Sequence, residues 1–226
     1  MAVLEETYVE RYYPWPNDED SKGCELVQFR LTYDGDLPSD SGERASRVKH
    51  EIRKVLHKQL AELWRTDPFL KQFVEGRTYE RVPSPDNKTI PVVLSMANKY
   101  ARFGFRFLLL VRKGKAECSI DVLFLRRSGK QLISQGGDVD NRIKTLLDGL
   151  SMPQYQEQLK GFSPDVDEDP FYCLLEDDGL ITQIKVTADK LLTPLEKDGF
   201  QNNVRLIIGV EVLINRGGAD AWDAFS

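Results

Sequence analysis

At 226 residues, with 41% hydrophobic and 30% charged residues, the chain has the composition of an ordinary globular protein with one substantial core. No apolar run approaches the roughly 20 residues that cross a bilayer, and the acidic, aromatic N-terminal stretch lacks the pattern of a signal peptide, so we expect an intracellular, cytoplasmic protein without a membrane partner. The net charge of −5 and the pI of about 5.3 argue against nonspecific nucleic-acid binding.

The first hundred residues predict one strand, one long helix and an irregular stretch. Residues 1–24 show no periodicity and predict an irregular arm. Residues 25–33 alternate between apolar and polar side chains, as a half-buried strand does. From about residue 42 to 64, apolar side chains recur at helical spacing and predict a helix with one face on the core. Residues 66–100 contain several prolines and predict a loop, with a short helix near residues 69–74.

The rest of the chain predicts a hairpin, a second helix and two further strands. Residues 103–112 and 117–127 are apolar runs joined by a short glycine-containing link, which is typical of a hairpin. An amphipathic helix is predicted over 139–150, and strands are predicted over 180–191 and 203–215. The elements follow the order β-α-β-β-α-β-β, which favours an α+β fold with a single mixed sheet and the helices packed on it.

Charge is distributed unevenly along the chain. The helical segment 43–65 carries seven Lys or Arg residues against three Glu, whereas the segment 154–179 carries eight acids against a single lysine. A basic helix and an acidic loop can coexist on opposite sides of a small protein. The basic face is either plainly solvated or a surface for an acidic partner.

Cysteine and histidine offer no obvious functional site. The three cysteines are far apart and odd in number, so neither a disulfide framework nor a zinc knuckle fits them. The two histidines, His50 and His57, are seven residues apart on the predicted helix, which argues against a histidine-rich metal site and against a Ser-His-Asp triad. If the protein is an enzyme, we expect carboxylates with a lysine or a metal to be its working groups.

The stretch GGDVDNRIKTLLDGL, residues 136–150, places two acids at the start of the second helix. Asp138 or Asp140 could cap the helix and complement its dipole. Asp140 also stands four residues before Lys144, the order that favours an ion pair along a helix. These ordinary roles predict a purely structural segment, in which the substitution Asp140→Asn would leave metal affinity unchanged.

A metal site is the competing interpretation of the same stretch. At about 100° per residue, Asp140, Lys144 and Asp148 lie along one stripe beside the apolar face, where a cleft can form. A second acidic cluster, residues 176–178, stands just before a predicted strand, and acids gathered at element ends repel one another unless a cation joins them. Carboxylate oxygens select Mg²⁺ or Mn²⁺, which can activate water for phosphodiester hydrolysis.

The order of these acids resembles that of a known family. The segment DVDNRIKTLLDGL, followed after a gap by LEDDGLI, resembles the RusA-type Holliday-junction resolvases, whose members carry a D-x-D-N-x-x-K-x-x-x-D-A-L helix start and then a D-D pair that leads into a strand. The resemblance covers residues 101–214 and, more weakly, residues 25–60. It implies a homodimeric, Mg²⁺-dependent endonuclease, with Mn²⁺ as the alternative metal, that cuts two opposed strands of branched DNA such as a four-way junction.

The resemblance also implies roles for individual residues. Metal-ligand acids carry over onto Asp138, Asp140 and Asp178, with Asp177 as a further ligand. The essential lysine carries over onto Lys144, which completes a catalytic set of Asp138, Asp140, Lys144 and Asp178. Contacts to DNA are expected from cations on the predicted strands and helix near this site: Arg126, Arg127, Lys130, Arg142 and Lys185.

Several features of the chain depart from the family. Small members are shorter, so within a single RusA-like domain over residues 1–226, with its arm at 1–24, the segments at about 66–100 and 151–175 are expected to be insertions. Asp148 is expected to stabilise the helix or to support the metal ligands. The acidic pI and the acidic second insertion favour an alternative function, a catalytically weak nucleic-acid-binding or protein-interaction module on the same fold.

Overall fold

The computed structural model describes residues 24–39, 42–75, 79–81, 89–127, 139–192 and 203–215. Its helices are α1 (Glu43–Thr66), α2 (Pro68–Val74), α3 (Val92–Lys99) and α4 (Val139–Leu150). Its strands are β1 (Cys24–Asp36), β2 (Tyr79–Arg81), β3 (Thr89–Pro91), β4 (Ala101–Arg102), β5 (Phe105–Val111), β6 (Ala116–Arg126), β7 (Phe171–Leu175), β8 (Ile181–Lys190) and β9 (Asn203–Asn215). Two short 3-10 helices, Gln156–Leu159 and Asp178–Leu180, lie in connecting segments.

Four strands form the main sheet, in the order β1-β9-β6-β8. β9 pairs antiparallel with both β1 and β6, whereas β8 pairs parallel with β6. A parallel pair needs a crossover connection, and α4 lies in the chain between β6 and β8. Buried and less buried residues alternate along β1 and β6 because one face of this sheet lies on the core and the other faces solvent.

The α+β class is confirmed, but the strands do not form the single sheet that the sequence predicts. A second mixed sheet has the order β4-β5-β7, and β2 pairs with β3 in a separate ribbon. The predicted hairpin of residues 103–112 and 117–127 is also wrong, because β5 and β6 belong to different sheets. All but one of the residues of β5 are buried, as in a strand covered on both faces, so its run of apolar residues reflects depth in the core rather than pairing with β6.

The strand that pairs with β5 lies in the acidic segment, which the sequence predicts to be a loop. β7 is only five residues long, FYCLL, and four of them are buried. A short apolar run without alternation carries little secondary-structure signal, and acids and prolines on its N-terminal side favour a loop. β7 runs parallel to β5, with Leu109 opposite Cys173. The acidic segment is therefore part of the second sheet.

Helices α1 and α4 cover the inner face of the main sheet. They bury apolar side chains in the same cluster as the inward residues of the strands: Ile52, Leu56 and Leu60 from α1, and Ile143, Leu146 and Leu150 from α4. Residues of α2 and α3 join that cluster, and Met152 and Leu159 join a second one. Both segments expected to be insertions, 66–100 and 151–175, thus contribute to buried cores. Within the described ranges, no helix combines the length and the apolarity needed to cross a membrane.

Candidate functional site

The amino end of α4 presents the acid and the lysine of the sequence motif. Asp140 lies in the first turn of the helix, and Lys144 lies one turn further along. Both side chains are exposed, whereas Ile143 and Leu146 on the neighbouring face are buried. Within the described part of the chain, the Lys144 ammonium makes no hydrogen bond or ion pair. This end of the helix therefore offers a carboxylate and a cation to solvent about one turn apart.

The second acidic cluster stands between β7 and β8. Asp177 caps the 3-10 helix Asp178–Leu180, where its Oδ1 accepts a hydrogen bond of 2.9 Å from Gly179 N. Glu176 faces the other way, and its Oε2 accepts a hydrogen bond of 3.1 Å from Lys113 N. Asp178 is partly exposed at the first position of the short helix. Among the described residues, the Asp178 carboxylate makes no hydrogen bond or ion pair, unlike those of Glu176 and Asp177.

The second acidic cluster is bonded to the chain that leaves the carboxyl end of α4. Met152 N donates to Leu175 O at 2.9 Å, and Gln154 Nε2 donates to Glu176 O at 2.6 Å. The 3-10 helix that begins at Asp178 also contacts α4. Among the residues that the structure describes, no three His, Cys, Asp or Glu side chains lie close enough to hold a metal ion.

At the amino end of α4, Mg²⁺ would be held by the two acids of the DxD motif, Asp138 and Asp140. Mg²⁺ keeps several waters and is commonly bound by one or two carboxylates together with substrate phosphates. Asp140 supplies one exposed carboxylate of the right chemistry. Asp138, two residues earlier, lies outside the described residues, as does Lys130. The described residues alone do not form the four-acid set that the sequence predicts.

Two of the five predicted DNA-contacting cations have partners within the chain, one half-buried and one on the surface. The Arg142 guanidinium donates to Leu37 O, and burial lowers its pKa, with the nearby charge of Arg126 acting in the same direction. Lys185 forms an ion pair of 2.9 Å with Asp121 on β6. Arg126 is partly exposed and Arg127 is exposed at the carboxyl end of β6. The predicted basic set is thus divided between internal contacts and the surface.

The basic helix α1 and the acidic segment are in contact rather than on opposite sides of the protein. Lys54 Nζ pairs with Asp165 at 2.5 Å and with Glu168 at 3.0 Å. Glu168 is only 1% exposed, and Asp165 N donates a second hydrogen bond to it at 2.9 Å. The contact with Lys54 holds the pKa of Asp165 below its usual range. Opposite charges therefore meet where the two segments pack together.

Arg53 joins α1 to the carboxyl end of α4. Its Nε donates to Ser151 O at 2.8 Å and its Nη2 donates to Asp148 O at 2.7 Å, so a buried guanidinium satisfies carbonyl groups that the end of the helix leaves open. One turn earlier on α1, Lys49 pairs with the Asp148 carboxylate at 2.5 Å. Asp148 is therefore a structural residue, in line with the first of the two roles expected for it.

The two histidines are buried on the face of α1 that packs against the acidic segment. His57 Nδ1 accepts a hydrogen bond of 2.9 Å from Tyr172 N, at the start of β7. The His50 ring stacks on Phe162 at 4.5 Å, and within the described residues neither of its nitrogens has a hydrogen-bond partner. Burial lowers the pKa of His50 to about 4 and that of His57 below its ordinary value. His50, Arg53 and His57 are spaced i, i+3, i+7, which places them on one face of a helix. This spacing is the sequence signal that could have indicated the buried face.

A groove of about 810 Å³ lies over the outer face of the main sheet. Its floor is at Gly209, which stands between Arg30 on β1 and Asp121 on β6. The pair of Lys185 with Asp121 and the hydrogen bond of 2.8 Å from Gln28 Nε2 to Glu211 lie along it. The groove carries both signs of charge and lacks the excess of cations that phosphate binding requires.

Comparisons with known proteins do not assign the chain to a family. No family model matches it, and neither does any curated protein or any solved structure. The functional argument therefore depends on the residues and contacts of the chain itself.

Proposed function

We propose that this protein is a Mg²⁺-dependent endonuclease that hydrolyses phosphodiester bonds of branched DNA, as the resemblance of its acidic motif to the RusA-type resolvases implies. The observation that carries the proposal is the amino end of α4, where the Asp140 carboxylate and the Lys144 ammonium are both exposed. The proposed partners are branched DNA and a second copy of the chain, in the cytoplasm.

Each residue at this end of α4 has a proposed role. Asp138 and Asp140 hold the metal, with Asp178 as a further acid of the set, and the bound metal supplies an acidified water and a positive charge near the phosphoryl oxygens. Lys144 binds a phosphate oxygen and offsets charge that develops there. Its ammonium is suited to this role because no described residue neutralises it.

The contrast with Asp148 supports the assignment. Asp140 and Asp148 belong to the same helix and to the same stripe of its surface, two turns apart. The Asp148 carboxylate pairs with Lys49 of α1 and its main-chain oxygen accepts from Arg53, whereas the Asp140 side chain is exposed. Contacts with α1 thus explain a structural role for Asp148, whereas Asp140 is at the surface.

The experiment that tests this function is cleavage of a labelled synthetic four-way junction, beside linear duplex, in Mg²⁺, in Mn²⁺ and in EDTA. We expect paired, symmetric nicks that need the metal, and a loss of at least about a hundredfold in rate for Asp140→Asn, which corresponds to about 2.7 kcal/mol of barrier. Lys144→Ala should lose activity as well, whereas Lys58→Ala, which removes an exposed lysine of α1, should retain it. Absence of cleavage of every branched substrate by the folded wild-type protein would contradict the proposal.

A binding module with little catalysis is the second candidate function. It is favoured by the absence of a three-ligand group among the described side chains and by the internal contacts of Arg142 and Lys185. This candidate predicts that the folded protein retards branched DNA in a gel without cutting it in either metal. Retardation that survives Asp140→Asn, with no product from the wild type, would select it over the nuclease.

A further inference from the structure

The β5–β6 turn, residues 112–115, joins the second sheet to the main sheet. Within it, Lys115 N donates to Arg112 O at 3.2 Å, and Gly114 has a φ of 74°. Glycine is favoured at the third position of such a turn because a side chain would strain the left-handed backbone there. The turn therefore has a defined conformation.

The second acidic cluster holds this turn in place. β5 and β7 run parallel, with Val111 opposite Leu175, so the residues that follow β5 lie beside those that follow β7. Glu176 N donates to Val111 O at 3.0 Å, and Glu176 Oε2 accepts from Lys113 N at 3.1 Å. Glu176 thus fixes the backbone of the turn next to the other two acids of the cluster, residues 177–178.

The same turn carries two lysines whose charges the fold does not use. Lys113 is exposed and Lys115 is partly exposed. Within the described part of the chain, neither ammonium makes a hydrogen bond or an ion pair. Lys54 on α1 and Lys71 on α2, by contrast, pair with acids of the chain. The turn therefore presents two positive charges to solvent.

The acids beside the turn include one of the proposed metal set. The 3-10 helix that begins at Asp178 contacts α4, which carries the other acids of that set. A DNA phosphate that approaches Asp177 and Asp178 meets charges of its own sign, and cations close by offset this repulsion. Lys113 and Lys115 supply such cations from the adjacent turn.

We propose that the β5–β6 turn binds the phosphate backbone of the DNA substrate, with Lys113 and Lys115 each contacting one phosphate. This inference deepens the proposed function, on which it rests, because it assigns the DNA a contact beside Asp178. Contacts to phosphates position a protein on DNA without reading its sequence, and a flexible ammonium is suited to them. The turn adds two cations to a predicted set in which Arg142 and Lys185 have partners within the chain.

The salt dependence of DNA binding tests this contact. A labelled four-way junction is titrated with the protein in EDTA at several KCl concentrations, and fluorescence anisotropy reports binding. Each phosphate contact contributes about 0.9 to the slope of log K against log salt concentration. Lys113→Ala with Lys115→Ala should therefore have a slope shallower by about 1.8, and its affinity in about 0.1 M salt should fall by at least about tenfold.

Matched variants separate this contact from a general loss of positive charge. Lys58→Ala with Lys71→Ala removes two surface charges from α1 and α2, and it should keep the wild-type slope and affinity. Lys113→Arg with Lys115→Arg keeps both charges of the turn and should also bind as the wild type does. Each variant is compared at equal concentrations of folded protein, verified by circular dichroism.

Lysine acetylation of the wild-type protein gives a second measurement that needs no substitution. Acetic anhydride is applied to the free protein and to its complex with the junction, and mass spectrometry of the peptides measures acetylation at each lysine. Bound DNA should reduce acetylation of Lys113 and Lys115 several-fold. Lys58, on α1, should react equally in both samples.

Three results would overturn the proposal: no binding of the junction by the wild type, a wild-type slope in the variant that lacks both turn lysines, or an equal loss in the control that lacks Lys58 and Lys71. The binding assays contain no metal and record no cleavage. Junction cleavage with an unchanged slope would refute the role of the turn and leave the nuclease standing. The predicted slope change without any cleavage would refute the nuclease and leave the turn as a DNA contact of the binding module.

Discussion

The two ends of α4 are built from similar residues and are used differently. At the carboxyl end, Asp148 pairs with Lys49, Arg53 bonds to the last carbonyls, and Gly149 packs directly on Ile52. At the amino end, Asp140 and Lys144 are exposed and lie beyond these contacts with α1. The difference lies in what α1 presents to each end of the helix, not in the residue types of α4 itself.

Some charged side chains near α4 have partners within the fold, whereas others are exposed to solvent. A buried charge needs a partner, because an unpaired one costs several kcal/mol, and the fold supplies partners for Arg53 and Glu168. An exposed charge needs none, and Lys144 has none among the described residues. At the amino end, the Lys144 ammonium is therefore open to a ligand.

Removal of the Arg53 guanidinium should have the largest effect on stability. Arg53→Ala leaves Ser151 O and Asp148 O without their donor in a buried place, so we expect the free energy of unfolding to fall by about 3 kcal/mol. Urea unfolding followed by circular dichroism would measure it. Arg53→Lys keeps the charge but cannot donate to both oxygens with the same geometry, so it should recover only part of the loss. A loss below 1 kcal/mol for Arg53→Ala, on the order of one ordinary hydrogen bond, would show that the two ends of α4 are not held so differently.

The close approach of the two helices gives the next largest effect. A Cβ at position 149 would lie 2.6 Å from Ile52 Cγ2, so Gly149→Ala should lower the free energy of unfolding by about 2 kcal/mol, although alanine favours helices. Gly209→Ala is the matched control, because its Cβ would meet Asp121 O at an ordinary 3.6 Å. We expect thermal melting to show a clear decrease for the first variant and none for the second. Equal melting temperatures for the two would contradict the tight packing at this end.

Loss of the Lys54 ammonium should have a smaller effect. Lys54→Ala removes the ion pair of the nearly buried Glu168, and we expect a decrease of about 1–2 kcal/mol in the free energy of unfolding. Lys54→Ala with Glu168→Gln should be less destabilised than the sum of the two single variants, because the amide needs no counter-charge. Additive effects in this double-mutant cycle would mean that the two groups do not interact.

Acidification should loosen the acidic segment gradually. The pKa of His50 is lowered to about 4 by burial, with Arg53 and Lys54 acting in the same direction and Asp165 opposing them. The unfolded chain therefore binds protons more tightly than the folded one, so stability is complete above about pH 6.5 and falls as the pH drops toward 4. One such group accounts for at most about 1.4 kcal/mol per pH unit in that window. Between pH 6.5 and 4, the unfolding midpoint should fall more for wild type than for His50→Phe, which lacks the titrating ring; parallel curves would exclude His50 as the cause.

Local patterns were sufficient to predict the elements of the main sheet and its two covering helices. The alternation in β1 and β9 and the helical spacing in α1 and α4 persist over ten or more residues, and the structure confirms these elements. The patterns failed where burial is complete or the element is short. β5 was assigned to a hairpin with β6 because they are adjacent in the chain, and β7 has only five residues.

The candidate site was predictable in part. The DxD-lysine spacing placed Asp140 and Lys144 on one helical face, as the structure has them. Sequence could not show that Arg142 and Lys185 would have partners within the chain, because these partners, Leu37 and Asp121, are distant in sequence. For the same reason it could not show that the basic helix would bind the acidic segment.

Two acids of one helix can be compared through Asp140→Asn and Asp148→Asn, by the rate of junction cleavage in Mg²⁺ at equal concentrations of folded protein. We expect Asp140→Asn to lose cleavage by at least about a hundredfold while it keeps the wild-type unfolding midpoint. Asp148→Asn, which loses the ion pair with Lys49, should keep cleavage and become less stable. Equal cleavage by the two variants, or loss of activity only in Asp148→Asn, would contradict the assignment of the amino end of α4 as the catalytic end.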